Sequence, residues 1–141
     1  MTTYSVTRAI KAPAQTIRDL LSNADSYPEW NKSVLAIEGQ IAEGEKIKLI
    51  SIANPDRQFK LNVTEVDAPN SMVWWEGMPL GLFKGVRTFK LTPRDGGTEF
   101  SMEEVYSGLM APMITKSIPD MTESFDLFAD GLKAEAEKRA G

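Results

Sequence analysis

The chain has 141 residues, 42% of them hydrophobic and 26% charged, a profile that fits one globular domain over residues 1–141 and excludes a disordered chain. Asp and Glu number 20 against 16 Lys and Arg, giving a net charge of −4 with no basic cluster, which excludes a broad nucleic-acid footprint. Cysteine and histidine are both absent, so disulfides, thiol nucleophiles, the commonest metal ligand and the usual neutral-pH proton shuttle are excluded too.

The first residues, Met1-Thr2-Thr3-Tyr4-Ser5, carry neither a basic nor an apolar targeting segment. No stretch reaches the ~18 apolar residues of a membrane span, so the expectation is a soluble, cytoplasmic protein without integral membrane association. Tyr4, Val6, Arg8 and Ile10 alternate as a strand. Ala12-Pro13-Ala14 opens a helix with Pro13 in its first turn and Ile17, Leu20 and Leu21 on its apolar face. Pro28-Glu29-Trp30 predicts a short second helix. Residues 33–37 and 46–53 read as strands, with Gly39 and Gly44 marking the turn between them.

Phe59, Leu61 and Val63 alternate with Lys60, Asn62 and Thr64, the pattern of a half-buried antiparallel strand. Asp67-Ala68-Pro69-Asn70 is a turn, and residues 72–76 form the next strand. The longest strands are 83–91 and 98–106, joined by Asp95-Gly96, a type I′ hairpin signal. The period then changes: Met121, Phe125, Phe128 and Leu132 recur at helical spacing through Ala140. Pro119 either starts that helix or kinks a longer one beginning near Pro112. Strands in sequence followed by a helix imply an α+β domain: a curved antiparallel sheet of about seven strands around a long C-terminal helix, with two short helices after the first strand. A cavity would lie between sheet and helix.

Alternation in the last hairpin can be carried to the side chains. Pairing Arg94 with Gly97 sets Leu91 opposite Phe100, Phe89 opposite Met102 and Arg87 opposite Glu104. Phe83, Gly85 and Tyr106 share that face. If Phe89, Leu91, Phe100 and Met102 face the core, so do Arg87 and Glu104, and a one-residue slip or a bulge would turn them elsewhere. Burying either charge alone costs several kcal/mol, so the two should pair. Two roles fit: a satisfied structural ion pair, or a polar anchor at the cavity floor with Arg87 holding a ligand carboxylate, phenolate or carbonyl. Glu104 as a base and Tyr106 as a proton or hydrogen-bond donor complete a set of candidate catalytic residues.

Trp74 and Trp75 are neighbours in a strand, so only one faces inward; Trp74 is favoured, packed over Gly85. Gly77 to Leu82 is apolar for a connector and suits either a gate or a contact with a partner or second copy. The terminal helical region supplies Met110, Met113, Ile114, Ile118, Met121 and Phe125, suited equally to a tolerant pocket and to core packing. Gly131 suggests close packing against the first strand. Glu103 and Glu104 point to opposite faces and cannot share an ion, and Gly96-Gly97 precedes no helix, so neither a metal site nor a phosphate loop is expected, and no cofactor.

The element order, with Ala12-Pro13-Ala14, Tyr27-Pro28-Glu29-Trp30, residues 69–74, Gly96-Gly97-Thr98 and the Pro119-bearing terminal helix, resembles the START-like (SRPBCC) superfamily and its helix-grip fold. The branch it resembles most is that of the polyketide cyclase/dehydrase-type proteins. The resemblance covers essentially the whole chain. It implies a deep cavity for an apolar or amphipathic small molecule, with Trp30 near the mouth. Fold alone does not choose among the carriers, receptors and enzymes of such a superfamily. The leading expectation is a binding module lined by Trp30, Phe59, Trp74, Phe89, Met102, Met113, Met121 and Phe125, with Arg87 and Glu104 at its polar end. The alternatives are a cyclase/aromatase-like enzyme using Arg87, Glu104 and Tyr106, and an interaction module with a protein partner or a second copy as a homodimer.

Overall fold

The structure, a computed structural model, describes residues 2–141. Its sheet is organised around one hairpin. Asp95 and Gly96 take φ of 48° and 79°, as a type I′ turn requires. They join β6 (Phe83–Arg94) to β7 (Gly97–Ser107). The register is the one the alternation predicts, with Arg94 opposite Gly97, Leu91 opposite Phe100, Phe89 opposite Met102 and Arg87 opposite Glu104.

β1 (Thr2–Ile10) pairs with β7, while β5 (Ser71–Met78), β4 (Phe59–Asp67), β3 (Lys46–Ser51) and β2 (Val34–Glu38) extend the sheet beyond β6. All pairings are antiparallel, in the order β1-β7-β6-β5-β4-β3-β2, and the sheet curls into a half-barrel. β4 runs further than its alternation suggests because its register shifts between Thr64 and Asp67, where Glu65 has φ 50°. That irregularity hides the second half of the strand from a period-two reading.

α1 (Ala14–Ser22) buries Ile17, Leu20 and Leu21, and Pro13 stands just before it with φ −64° and ψ 149° rather than inside its first turn. α2 (Tyr27–Trp30) is anchored by the Tyr27 hydroxyl, which donates to the Leu21 carbonyl at 2.7 Å. The C-terminal region is not one kinked helix. α3 (Ala111–Ile114) passes into a 3-10 turn over Thr115–Ser117, the chain then extends, and α4 (Thr122–Ala140) follows. Pro119 explains the break: it disfavours helical geometry at the residue before it, and Ile118 has ψ 125°. Asp120 then accepts the Thr122 N–H at 2.9 Å, opening α4.

α4 lies across the hollow of the sheet with Phe125, Phe128, Ala129, Leu132 and Ala136 buried. Phe128 stacks on Phe100 at 6.4 Å between ring centres and meets Phe89, Trp30 and Tyr27 at 5.8, 5.7 and 6.1 Å. At the rim, Arg8 of β1 donates to Asp130 and Asp126 of α4 at 2.8 and 3.1 Å. No helix among the described residues is long and apolar enough to cross a membrane.

Gly131 does not serve contact with the first strand. It lets α4 approach α2, since a Cβ there would stand 1.9 Å from the Trp30 carbonyl oxygen. In an open helix, Gly→Ala would stabilise by about 1 kcal/mol. Here Gly131→Ala should instead cost about 1–3 kcal/mol, because two backbones must separate. Urea denaturation checks this, and a variant as stable as the parent would show that α2 is loosely held.

Candidate functional site

Each of the strands β3 to β7 contributes residues spaced by two to one concave surface, as the pleat dictates. Leu49 and Ser51 come from β3, Phe59 and Leu61 from β4, Trp74 and Glu76 from β5, Gly85 and Arg87 from β6, and Glu104 and Tyr106 from β7. The extended break before α4 closes the opposite side with Ile118, Pro119 and Met121, and Asn54 stands in the β3–β4 loop. The cleft encloses a cavity of about 50 Å³.

Its polar floor is a chain of three side chains on β6 and β7. The Arg87 Nε donates to Glu104 Oε1 at 2.8 Å, and the Tyr106 hydroxyl donates to the other carboxylate oxygen, Oε2. The Arg87 and Glu104 side chains are 12% and 14% exposed, so this pair is largely removed from water. The Arg87 guanidinium lies over the Phe125 ring at 4.8 Å from its centre, a cation–π contact that supports it from the α4 side. Tyr106 fits because Gly85 opposite it has no side chain; a Cβ there would meet the tyrosine ring at 3.3 Å. Burial pushes the Tyr106 phenol well above its ordinary value, and the adjacent Glu104 carboxylate pushes it further.

A second carboxylate, Glu76, stands beside this floor. Its Oε1 accepts from Arg57 Nη2 at 3.3 Å, and Arg57 also lies over the Phe59 ring at 4.4 Å. Burial raises the Glu76 pKa; Arg57 opposes the rise and Glu104 adds to it. Trp74 is 1% exposed, packs edge-on to Phe89 at 4.7 Å and leaves its indole N–H without an acceptor.

The structure therefore brings Phe59, Trp74, Arg87, Glu104, Tyr106 and Met121 to one cleft. Trp74 faces inward but not over Gly85, a place taken by Tyr106. The remaining residues expected around a ligand lie elsewhere. Trp30 plugs the core between Tyr27 and Phe128. Phe89 and Met102 face inward but are buried deeper along the sheet, and Phe125 stands behind Arg87. Met113 is 63% exposed, because the break at Ile118–Met121 puts it on a different helix from Met121 and Phe125. Glu76 was missed as a site residue, although the spacing that turns Trp74 inward turns Glu76 inward too. The Gly77–Leu82 connector is tied down: Gly81 and Leu82 carbonyls accept the Leu109 and Met110 N–H groups at 3.3 and 2.8 Å.

Removing one partner of a buried pair strands the other. Glu104→Ala should cost about 3–5 kcal/mol in urea denaturation, since it orphans both Arg87 and Tyr106. The triple variant Arg87→Met, Glu104→Leu, Tyr106→Phe should recover most of that loss. A single variant near parental stability would mean that water reaches the trio freely.

Glu76 sets a pH dependence of its own. Its folded pKa is raised above the ordinary 4.5, so above about pH 4.5 the unfolded chain releases this proton first. Stability therefore falls with rising pH until the folded carboxyl has also ionised. Glu76→Gln lacks this slope, and the exposed half of the Arg57 pair is worth little. The variant should gain stability relative to the parent as pH rises from 4.5 to 7, read from thermal melts, and a constant difference over that range would refute the assignment.

Comparison with known proteins follows the same lines. The solution structure of the Aha1 dimer from Colwellia psychrerythraea superposes with a TM-score of 0.73 at 18% identity, covering 100% of both chains. A START superfamily protein from Mycobacterium smegmatis gives 0.70 at 17% identity over 97% of this chain and 98% of its own. The di-domain ARO/CYC StfQ of the steffimycin biosynthetic pathway gives 0.74 at 15% identity, over 99% of this chain and 52% of its own. At these identities the likeness is one of fold. No curated protein matches the sequence. The family described as polyketide cyclase / dehydrase and lipid transport matches residues 1–137. The chain belongs to that family, and its helix-grip fold is shared with the START superfamily protein above.

Proposed function

We propose that the chain binds a hydrophobic or amphipathic small molecule, lipid-, polyketide- or quinone-like, in the cleft between the curved sheet and the start of α4. One observation carries this reading: the sheet surrounds an open, mainly apolar cleft with the Arg87–Glu104 ion pair and the Tyr106 hydroxyl at its floor. A protein that only needed a core would fill such a space, because interiors pack to crystal-like density. Lipid transport in the family's description supports the same reading. Phe59, Leu61, Trp74 and Met121 supply apolar contact, and Arg87, Glu104 and Tyr106 form the polar end.

A cyclase/aromatase-like reaction is the second reading, favoured by the convergence of Arg87, Glu104 and Tyr106 in one cleft. The geometry supports binding more strongly. Both Glu104 oxygens are engaged, which leaves a poor base, and Tyr106 is pushed away from ready proton release.

Nile red, a neutral apolar dye, tests the proposal. It should gain and blue-shift fluorescence on mixing with the protein, and Leu61→Trp, which narrows the mouth, should weaken its binding at least about fivefold. A dye response absent from the parent, or unchanged in the variant, would remove the cleft from the function.

A further inference from the structure

The end of the sheet where β5 turns into β6 carries apolar side chains open to water. Leu80, in the turn over Pro79–Gly81, is 91% exposed, and Leu109, just after β7, is 83% exposed. Met113, one helical turn further along, and Met78 at the end of β5 are exposed as well. Two backbone hydrogen bonds hold the turns together, from the Leu109 and Met110 N–H groups to the Gly81 and Leu82 carbonyls. A Cβ at Gly108 would stand 2.6 Å from the Leu82 carbonyl oxygen, so the two segments touch closely. On the inner side Ala111 is buried with Phe83 and Tyr106, and Ile114 and Ile118 pack against them. The leucines therefore project from a fixed base, and Ile118 joins that base to the wall of the cleft.

Leu80 is unfavourable where it stands. Its φ of 61° and ψ of 28° are left-handed, a conformation that burdens a leucine and that glycine or asparagine adopts readily. Its exposed side chain adds nothing to the core in return.

Charge singles out the same end. The sequence has 20 acids, yet none lies between Glu76 and Asp95 or between Glu104 and Asp120. The bounding acids nearest the patch are engaged elsewhere: Glu76 and Glu104 line the cleft, and Asp120 accepts from Thr122. Lys84 and Lys116 flank the patch and are exposed. The Lys84 Nζ stands 4.9 Å from the centre of the Trp75 ring. Apolar tips with cations and a tryptophan set behind them match the layers of a bilayer surface, where anionic headgroups overlie acyl chains. A second copy of the chain fits less well. Stable protein interfaces take about 20–30 residues a side, more than these few protruding side chains supply. A symmetric pair would also bring the lysines together with no acid to answer them.

We propose that this end of the sheet docks on an anionic lipid bilayer, with Leu80, Leu109 and Met113 entering the acyl boundary and Lys84 and Lys116 at the headgroups. The docking surface is separate from the ligand cleft and goes beyond the binding reading above.

Co-sedimentation of the full chain with vesicles tests this, using phosphatidylcholine alone and an equal mixture of phosphatidylcholine and phosphatidylserine. The parent should bind the mixed vesicles at least about fivefold more tightly, since each lysine near an anionic surface favours binding severalfold. High salt should shrink that preference. The double variant Leu80→Asn, Leu109→Asn should bind at least about tenfold more weakly, because both apolar insertions are lost. Lys84→Gln with Lys116→Gln should bring binding to mixed vesicles down to the phosphatidylcholine level. Leu35→Asn, at an exposed leucine on the edge strand β2, should bind as the parent does. All these positions are exposed, so melting temperatures should stay near the parent's. Leu80→Asn alone, which suits the left-handed backbone, gives the same readout with a smaller loss if the double variant fails to fold. A parent that does not sediment, binding unchanged in the leucine variants, or equal binding to both vesicle types overturns the proposal. A dimer that the leucine variants abolish, with no vesicle binding, overturns it too and assigns the patch to a second copy. Sedimentation is read without dye, so this result and the Nile red response succeed or fail independently.

Discussion

A guanidinium inside an apolar hollow persists only where its charge is answered on the spot. Arg87 is answered by Glu104 on the neighbouring strand, and the alignment of those two residues depends on the β6–β7 register. That register follows from the Asp95-Gly96 turn, whose two positive φ angles suit the twist of the strands it joins. A slip by one residue would send Phe89, Phe100 and Met102 to solvent and leave the pair on the outer face. Turn chemistry, core formation and the polar floor thus impose the same alignment, and consistency between levels is what lets a sequence specify one structure.

The rest of the site hangs from that hairpin. β5 pairs with β6 so that Trp74 stands opposite Arg87 and Glu76 opposite Gly85. The missing side chain at Gly85 leaves room for the Tyr106 ring, which brings its hydroxyl to Glu104. On the helix side, Phe125 both packs the core and presents its ring to Arg87. The break at Pro119 matters as much as the helix after it. A continuous helix from Pro112 would hold its own backbone hydrogen bonds, whereas the extended segment places Ile118, Pro119 and Met121 over the cleft.

The parts legible in the sequence are those in which one physical pattern acts alone. Strict alternation in residues 83–91 and 98–106, with an unambiguous turn between them, identifies the inward positions of Arg87, Glu104 and Tyr106. Two things escape such a reading. Alternation assigns a face but not a depth, so Phe89 and Met102 share the face of Arg87 and Glu104 yet lie buried beneath α4 rather than at the cleft. Interrupted patterns also mislead: Met110, Met113, Ile114, Ile118, Met121 and Phe125 are compatible with one helix, and only the backbone shows Met113 facing solvent on a separate turn. Gly131 is a similar case, since its close partner, the Trp30 carbonyl, is remote in sequence and leaves no periodic trace.

The engaged carboxylate of the floor also bears on what such a cleft can do. A site built for chemistry on a proton keeps an acid or base partly unpaired and poised near the working pH. Here the carboxylate at the centre accepts from both neighbours, and the phenol is held in its protonated form by burial and by that same carboxylate. The Tyr106 phenol therefore resists giving up its proton. That resistance suits a rigid surface against which a molecule is held and oriented. Donor capacity is left over on the Arg87 terminal nitrogens, since Nε alone is used on Glu104, whereas the Trp74 indole N–H lacks an acceptor but is itself buried. Trp74 and Glu76 stand two residues apart on one face of β5, opposite Arg87 and Gly85 of β6.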